Sequence, residues 1–218
     1  MDGGGYFTGI KADPPESPIG YGLTLFDKPL LNPPRRTSYC SGATYTAFIE
    51  ALNLRHQAIE PSPRQNKPGG NNPTLAPARA EDMRMQEPDG GRREDGVKFW
   101  GHWNDDGFGS QFALVQYAQM GQEIVPNHAR PGDFMNISWT NGHGHSVVFL
   151  GWYKEPDGGK YLLFWSSQKS THGMGDKLVP LSRIQEVKIV RLTDPDKLFS
   201  FDPAKQVNRK VPGDTINW

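Results

Sequence analysis

The sequence predicts an α+β fold in which a helix precedes an antiparallel sheet. One amphipathic helical pattern lies in the first quarter of the chain, and strand-like runs fill the second half. Two of these runs flank a turn cluster at 155–159, so we expect them to form a hairpin. This order, with the helix first and the strands after it, is typical of an α+β arrangement.

Length and composition predict one domain with many loops. The 218 residues suffice for a sizeable core, and the chain contains 25 glycines and 19 prolines. The 24 basic and 24 acidic residues balance, which disfavours a nucleic-acid or anionic-lipid footprint. A single cysteine excludes an intrachain disulfide framework and a multi-cysteine zinc site.

The chain divides into three parts by composition. Residues 1–36 are rich in Gly and Pro and are predicted to form an N-terminal arm with one short strand at 21–26. Residues 37–193 form a single domain, interrupted by a polar, proline-rich insertion at 61–96 that is either functional or disordered. Residues 194–218 read as a polar tail with few apolar anchors.

The first helix is predicted over 41–54. Tyr45, Phe48, Ile49 and Leu52 form one apolar stripe at helical spacing, and Ser38 or Thr37 could cap the helix. A second helix is expected at about 110–120, ended by Gly121. The strands are expected at 134–139, 146–153, 161–167 and 187–192.

Cys40, directly before the first helix, is the candidate nucleophile. The positive end of a helix dipole and its unpaired N–H groups stabilise a thiolate, and a nearby imidazolium would stabilise it further. We therefore expect iodoacetamide to label Cys40 at pH 6–7 much faster than a free thiol. The competing interpretation is a small buried residue at a helix start.

His145 is the candidate base. It opens a strand whose two faces are both largely apolar, so the imidazole lies at the mouth of an internal strand with a cleft before it. The competing interpretation is a strand-end histidine bonded to a loop. His56, His102 and His128 are most simply surface residues.

Three short motifs in order resemble the NlpC/P60-type cysteine peptidases. Cys40-Ser41-Gly42 before a helix resembles the Asp-Cys-Ser-Gly element of that family, with Tyr39 in place of the aspartate. Pro131-Gly132-Asp133 resembles the Pro-Gly-Asp-Leu start of a strand, and 145–151 resembles the strand that carries the family's histidine. The resemblance covers roughly 40–60 and 105–170, and the related CHAP amidases share the architecture.

The resemblance implies a papain-like core, with the nucleophile helix packed on an antiparallel sheet, and hydrolysis of amide bonds in bacterial peptidoglycan. His145 would take the thiol proton of Cys40, the thiolate would attack the carbonyl, and water would resolve the acyl-enzyme. Backbone N–H groups at the helix start, including that of Cys40, would hold the oxyanion. No cofactor or metal is implied.

A third polar group should orient His145. In the family it lies on the next strand, and folding the hairpin about 157–158 brings residues near 168–170 opposite His145. Gln168 is the best amide, with Ser167 and Ser166 as runners-up and His172 farther along. The family also carries a tyrosine upstream of its cysteine, for which Tyr21 before Gly22 is the nearest fit.

Three alternatives stay open from the sequence. A zinc hydrolase could use His143, His145 and Asp133, although this leaves the Cys40 motif unexplained. A non-catalytic peptide- or glycan-binding module could use the same fold. An acyl or peptidyl transferase could resolve the same thioester with an amine. Trp100 and Trp103 could line a cleft, although a buried loop anchor is the commoner role.

A peptide or peptidoglycan substrate, no nucleic acid, no membrane span and a monomer are the expected partner properties. No apolar run reaches membrane-spanning length, and the first residues lack the basic and apolar regions of a signal peptide. Either the chain is not exported by that route or the signal has been removed. A cell-wall substrate predicts a secreted or periplasmic protein.

Overall fold

One long helix and a six-stranded antiparallel sheet form the centre of the protein, so the fold is α+β as the sequence predicts. The structure is a computed structural model that describes residues 4–9, 18–32, 35–59, 110–116, 118–200 and 211–217. The predicted insertion at 61–96, together with Trp100, His102 and Trp103, lies outside the described residues.

The helices and strands are numbered in chain order. A small hairpin, the long helix and a short helix come first, and six strands follow in the order β3-β8-β4-β5-β6-β7 across the sheet. Their bounds are β1 Leu23–Leu25, β2 Lys28–Leu31, α1 Cys40–Ile59, α2 Ala113–Gln116, β3 Gly121–Ile124, β4 Phe134–Trp139, β5 Gly144–Lys154, β6 Lys160–Gln168, β7 Gly173–Pro180 and β8 Ile184–Leu192.

The sheet buries both faces because alternate side chains of each strand point to opposite sides. On one face Phe134 and Val190 pack with Tyr45 and Phe48 of α1. On the other face a second apolar cluster forms under the curved sheet, from Met135, Ile137, Val147, Phe149, Leu162, Phe164, Val179, Val187 and Ile189. This second face also carries His145, two positions before Val147, so it is the face of the candidate site.

The predicted apolar stripe of α1 is confirmed, and the buried part of the helix is wider than predicted. Tyr45, Phe48, Ile49 and Leu52 are all buried, but so are Thr44 and the other polar residues of the first turn. The reason is that Pro18 and Ile19 lie against Gly42 on one side of this turn, whereas Thr44 bonds Ser146 of β5 on the other. Cys40, the first residue of this buried turn, is itself partly buried.

The N-terminal region contains a hairpin where the sequence predicts a single strand at 21–26. Strand β1 turns through Phe26 and Asp27, both with positive φ, into β2. Neither turn residue is a glycine or an asparagine, so the sequence carries no strong signal for this turn. Asn53 of α1 holds the hairpin, accepting from the Phe26 N–H and donating to the Thr24 carbonyl at 2.9 Å each.

Two other predictions differ from the structure in extent. The second helix is a 3-10 turn, Ser110–Phe112, continued by the four-residue α2, since Gly121 already begins β3. The stretch predicted as a polar tail has two buried anchors, Leu198 and Val211. Asp214 adds a backbone bridge to Val187 of β8, so this stretch packs along the sheet.

None of the helices in the described part of the chain combines the length and the apolar character needed to cross a membrane.

Candidate active site

The residues before α1 lie between two N-terminal segments. The Ser38 N–H donates to the Gly5 carbonyl, the Phe7 N–H donates to the Ser38 carbonyl, and the Tyr39 N–H donates to the Pro18 carbonyl, at 3.0, 3.0 and 3.2 Å. The sequence prediction that Ser38 or Thr37 caps the helix is wrong, because α1 begins at Cys40 and the Ser38 hydroxyl instead donates to Ser167 Oγ at 2.8 Å. Cys40 is thereby fixed as the first helical residue.

Gly42 permits the close approach of the N-terminal segment to α1. A Cβ atom at this position would lie 1.9 Å from the Pro18 carbonyl oxygen and 3.3 Å from the Ile19 Cα. Any side chain at position 42 would therefore push the 18–19 segment away from the helix. The glycine of the Cys40-Ser41-Gly42 motif thus has a packing role next to the nucleophile.

Strands β5 and β6 separate at the end that faces Cys40. Their backbone pairing reaches Val148 opposite Trp165 and does not continue toward the start of β5. In its place the Ser166 hydroxyl donates to the Ser146 carbonyl at 2.6 Å. The N–H and C=O of one residue in an antiparallel strand point the same way, so the Ser146 N–H also points into this opening.

The first turn of α1 is anchored in this opening. Thr44 Oγ1 and Ser146 Oγ share a hydrogen bond of 2.9 Å, and Ser146 Oγ also bonds Gln111 Oε1 at 3.2 Å. The backbone N–H of Ser146 hydrogen-bonds to the Cys40 thiol. Cys40 therefore lies against the residue that directly follows His145.

His145 is half-buried between aromatic side chains, with ring centroids 6.0 Å from Trp139 and 5.4 Å from Phe164. Its Nε2 atom lies 3.3 Å from Gln168 Oε1. The structure thus brings together His145 and the residue that the sequence names as the best third group. The runners-up are otherwise engaged, since Ser166 bonds Ser146 and Ser167 accepts from Ser38.

The orientation of the Gln168 amide determines the tautomer of His145. The amide nitrogen donates to Thr171 Oγ1 at 2.6 Å and to the Gly175 carbonyl at 3.1 Å. The amide oxygen, which only accepts, is therefore the atom that faces Nε2. A neutral His145 must carry its proton on Nε2, which leaves the Nδ1 lone pair as the base.

Burial shifts the pKa values of Cys40 and His145 toward their neutral forms. Burial raises the pKa of the Cys40 thiol, and the N–H groups of Ser146 and Ser41 offset only part of this rise. Burial also lowers the pKa of His145 to about 4; the Gln168 hydrogen bond opposes this shift and the charge of Lys177 adds to it. The expectation of a resting thiolate at the helix start stays a prediction, which burial of the thiol opposes and the N–H groups at the helix start favour.

The pH profile of Cys40 alkylation should follow from these pKa shifts. Because the thiol pKa is raised above its ordinary value of 9.0, we expect the iodoacetamide rate to climb through a midpoint above pH 9. Cys40 is the only cysteine, so the rate of mass increase reports one site. Glutathione under the same conditions is the control for an ordinary thiol. A fast plateau at pH 6–7 would instead show a resting thiolate–imidazolium pair.

A cleft of about 390 Å³ lies before His145 and Gln168. Tyr6 from the N-terminal segment lines it, and its pKa is raised by burial and, to a lesser extent, by the nearby Cys40. The sequence interpretation missed Tyr6 and took Tyr21 as the upstream tyrosine. Tyr21 instead lies against Thr46 and Glu50 of α1. The run of glycines before Tyr6 was the signal that could have found it.

The zinc alternative is wrong on geometry. The Asp133 carboxylate accepts hydrogen bonds from Arg191 and from the Arg130 N–H. Asp133 lies where β4 meets Phe149 of β5. His145 pairs with Ile137, four residues farther along β4. Asp133 therefore cannot join His143 and His145 around one ion. Across the described ranges, no group of three or more His, Cys, Asp or Glu side chains could hold a metal.

The Pro131-Gly132-Asp133 motif has a structural explanation. The Asp133 N–H donates to the Arg130 carbonyl at 3.0 Å and Gly132 has a φ of +96°, which is a turn with proline at its second position and glycine at its third. This turn begins β4 and aims the Asp133 carboxylate at Arg191. The motif therefore positions the sheet and takes no part in the cleft.

The other histidines in the described part of the chain take no part in the His145–Gln168 hydrogen bond. His143 is exposed at the rim of the cleft, with Nδ1 3.2 Å from Asn141 Oδ1. His172 adopts a left-handed conformation near Gly5, and Gln168 holds the place beside His145. His56 packs on Phe26, and His128 ends a 3-10 turn.

Comparisons of the chain with protein-family models, with curated proteins and with solved structures gave no match.

Proposed function

We propose that the protein is a cysteine hydrolase that cleaves amide or peptide bonds of bacterial cell-wall peptidoglycan through Cys40, His145 and Gln168. The observation that carries the proposal is the hydrogen bond from His145 Nε2 to an amide oxygen whose own nitrogen is held by Thr171 and Gly175. This network leaves the Nδ1 nitrogen of His145 available as a base. His145 directly precedes Ser146, whose backbone N–H hydrogen-bonds to the Cys40 thiol. A merely structural histidine has no need of such a fixed tautomer.

The reaction begins from a neutral pair. As the Cys40 sulfur attacks the amide carbon, His145 Nδ1 accepts the thiol proton, and the imidazolium then gives this proton to the leaving amine. The products of this step are the free amine and a thioester. His145 next takes a proton from water, the hydroxide attacks the thioester, and the acid leaves as the thiol regains its proton.

The helix start and Tyr6 supply donors for the developing oxyanion. The first N–H groups of a helix lack intrahelical acceptors, and those of Cys40 and Ser41 point toward the thiol. The Tyr6 hydroxyl approaches the same place from the N-terminal segment. Donors fixed in this way stabilise the tetrahedral intermediate at little reorganisation cost.

The papain-like architecture and membership of the NlpC/P60 type are part of this proposal. Support comes from the nucleophile on the first residue of a helix, which packs on an antiparallel sheet, and from the base on a strand of that sheet next to the helix start. Peptidoglycan as substrate, a secreted or periplasmic location and a monomeric state follow from the resemblance of the motifs.

A non-catalytic peptide-binding module is the second candidate, and the raised pKa of the thiol favours it. The oriented Nδ1 of His145 disfavours it, since recognition of a peptide needs no free base beside a thiol.

Mass spectrometry of peptidoglycan fragments distinguishes the two. Purified peptidoglycan or its soluble muropeptides, incubated with the protein, should yield fragments heavier by one water at a newly cleaved amide bond. Cys40→Ala, which removes only the sulfur, is the matched control and should yield none. Fragments extended by an added amine would assign a transferase, and the absence of new products with either protein would leave the binding module.

A further inference from the structure

One wall of the cleft gathers positive charge beside the base. Lys177 lies in β7 directly opposite Phe164 of β6, so it shares the sheet face that carries His145. Its side chain is half-buried. Arg183 and Lys169 reach the same cleft from the turns that follow β7 and β6. Three cations from three elements thus meet beside His145.

These three cations differ from Lys188 and Arg191 because they have no acid partner among the described residues. The buried Lys188 bonds Glu123 and Asp214, and Arg191 holds Asp133. Within the described residues, no carboxylate pairs with Lys169, Lys177 or Arg183, and the cleft lining contains no acidic side chain.

The positive charges in the cleft affect the pKa of Lys177. The pKa of Lys177 is lowered first by burial and then by the charge of Arg183. Lys177 is half-buried beside the exposed Arg183, and like charges side by side are unfavourable unless an anion enters between them. The protein retains this unfavourable arrangement in its cleft, where a substrate rather than a protein side chain can supply the anion.

The aromatic side chains of the cleft indicate which kind of molecule carries the anionic group. The Arg183 guanidinium lies over the Trp139 ring at 5.9 Å, and Trp139 also contacts the His145 ring. The anionic group must therefore belong to a molecule with an apolar part that covers this aromatic surface. A peptide with a free carboxylate satisfies both requirements, whereas an inorganic anion satisfies only the first.

We propose that Lys177 and Arg183, with Lys169 at the rim, form a subsite for a free carboxylate of the peptide substrate next to the amide that is cleaved. This inference rests on the proposed function and adds the charge of the substrate to it.

Recognition and catalysis are linked at this subsite. The charged and titratable groups that share the cleft with His145 are Tyr6, Lys169, Lys177, Arg183 and His143, and Lys177 is the one whose charge lowers the pKa of His145. A carboxylate bound between Lys177 and Arg183 cancels this repulsion. The imidazole then accepts the thiol proton more readily when a carboxylate-bearing substrate is present than when the cleft is empty.

Binding of matched ligands tests the subsite. The probes are disaccharide-tetrapeptide muropeptides, either native or with their carboxylates converted to amides by carbodiimide and ammonia, and binding is measured by calorimetry on Cys40→Ala. Adding Lys177→Met and Arg183→Met should weaken binding of the native muropeptide about tenfold and leave that of the amidated one unchanged. Lys154→Met, an exposed lysine at the far end of β5, is the charge-matched control and should change neither. Equal losses for both ligands, or no loss, overturn the subsite.

Alkylation of Cys40 provides a second readout that requires no peptidoglycan. The ratio of the iodoacetate rate to the iodoacetamide rate at one pH cancels the thiolate fraction and reports the attraction of a carboxylate to the cleft. We expect this ratio to exceed that of glutathione severalfold and to fall when Lys177 and Arg183 become methionine. A ratio equal to that of glutathione overturns the subsite even where peptidoglycan is cleaved. A high ratio without peptidoglycan cleavage keeps the subsite and removes the proposed substrate.

Discussion

Replacement of His145 by alanine should lower kcat/KM for muropeptide cleavage by about 10²–10⁴-fold, the usual contribution of a general acid–base residue. The change removes the base that the proposal assigns to the thiol, and the raised pKa of Cys40 leaves little thiolate at pH 7 to act without it. The measurement is the rate of new amine release from soluble muropeptides at pH 7. Residual activity above a tenth of the native value would contradict the proposed role.

Gln168→Leu gives a graded comparison for the same prediction. It keeps the size of the side chain but removes the acceptor for Nε2, so the tautomer of His145 is no longer fixed. We expect a smaller loss than for His145→Ala, since the base itself remains. An NMR spectrum of the imidazole nitrogens should show protonated Nε2 in the native protein and a mixture of tautomers in the variant. An unchanged spectrum would assign Gln168 a purely structural role.

Replacement of Arg191 by methionine should lower the free energy of unfolding by about 3–5 kcal/mol, because it leaves a buried carboxylate without its cation. The Asp133 side chain is only 3% exposed, and Arg191 donates to it from Nε and from a terminal nitrogen at 2.7 Å each. The measurement is urea denaturation followed by tryptophan fluorescence and fitted with a common m-value.

Arg55→Met is the matched control for this stability prediction. It removes another arginine–aspartate pair, to Asp196, whose side chains are 46% and 64% exposed. Solvent screens such a pair, so the expected loss is below about 1 kcal/mol. Similar losses for the two variants would mean that burial of Asp133 is not what makes its ion pair important.

The central elements were predictable because burial imposed a clear periodicity on their residues. The stripe from Tyr45 to Leu52 identified α1, and the apolar runs identified β4, β5, β6 and β8. The turn cluster between β5 and β6 correctly predicted their hairpin. Its register placed residues near 168–170 opposite His145, with Gln168 as the best amide, and the structure shows a hydrogen bond between Gln168 and His145.

The edge strands and Tyr6 were not predictable in the same way. Strand β7 contains Gly173, Gly175 and Asp176, all weak strand formers, and it is a strand only because β6 pairs with it. Strand β3 has four residues and no alternation. Tyr6 reaches the cleft through a single backbone bridge to Ser38, a contact that no local pattern specifies.

The charge state of the pair could not be derived from the sequence either. A cysteine at a helix start has the same local environment whether or not neighbouring segments cover it. In this protein burial desolvates the thiol, and that tertiary effect opposes the thiolate that the helix N-terminus favours.

The hydrogen bond between Ser38 and Ser167 spans 129 positions of the chain, so the nucleophile is held in place by a strand that leaves the ribosome long after it. Contacts of such long range form late in folding, after the cost of closing a large loop has been met. A nascent or partly folded chain therefore exposes Cys40 without the donors and the base that would make it reactive. We therefore expect the reactivity of Cys40 to appear only when the fold is complete.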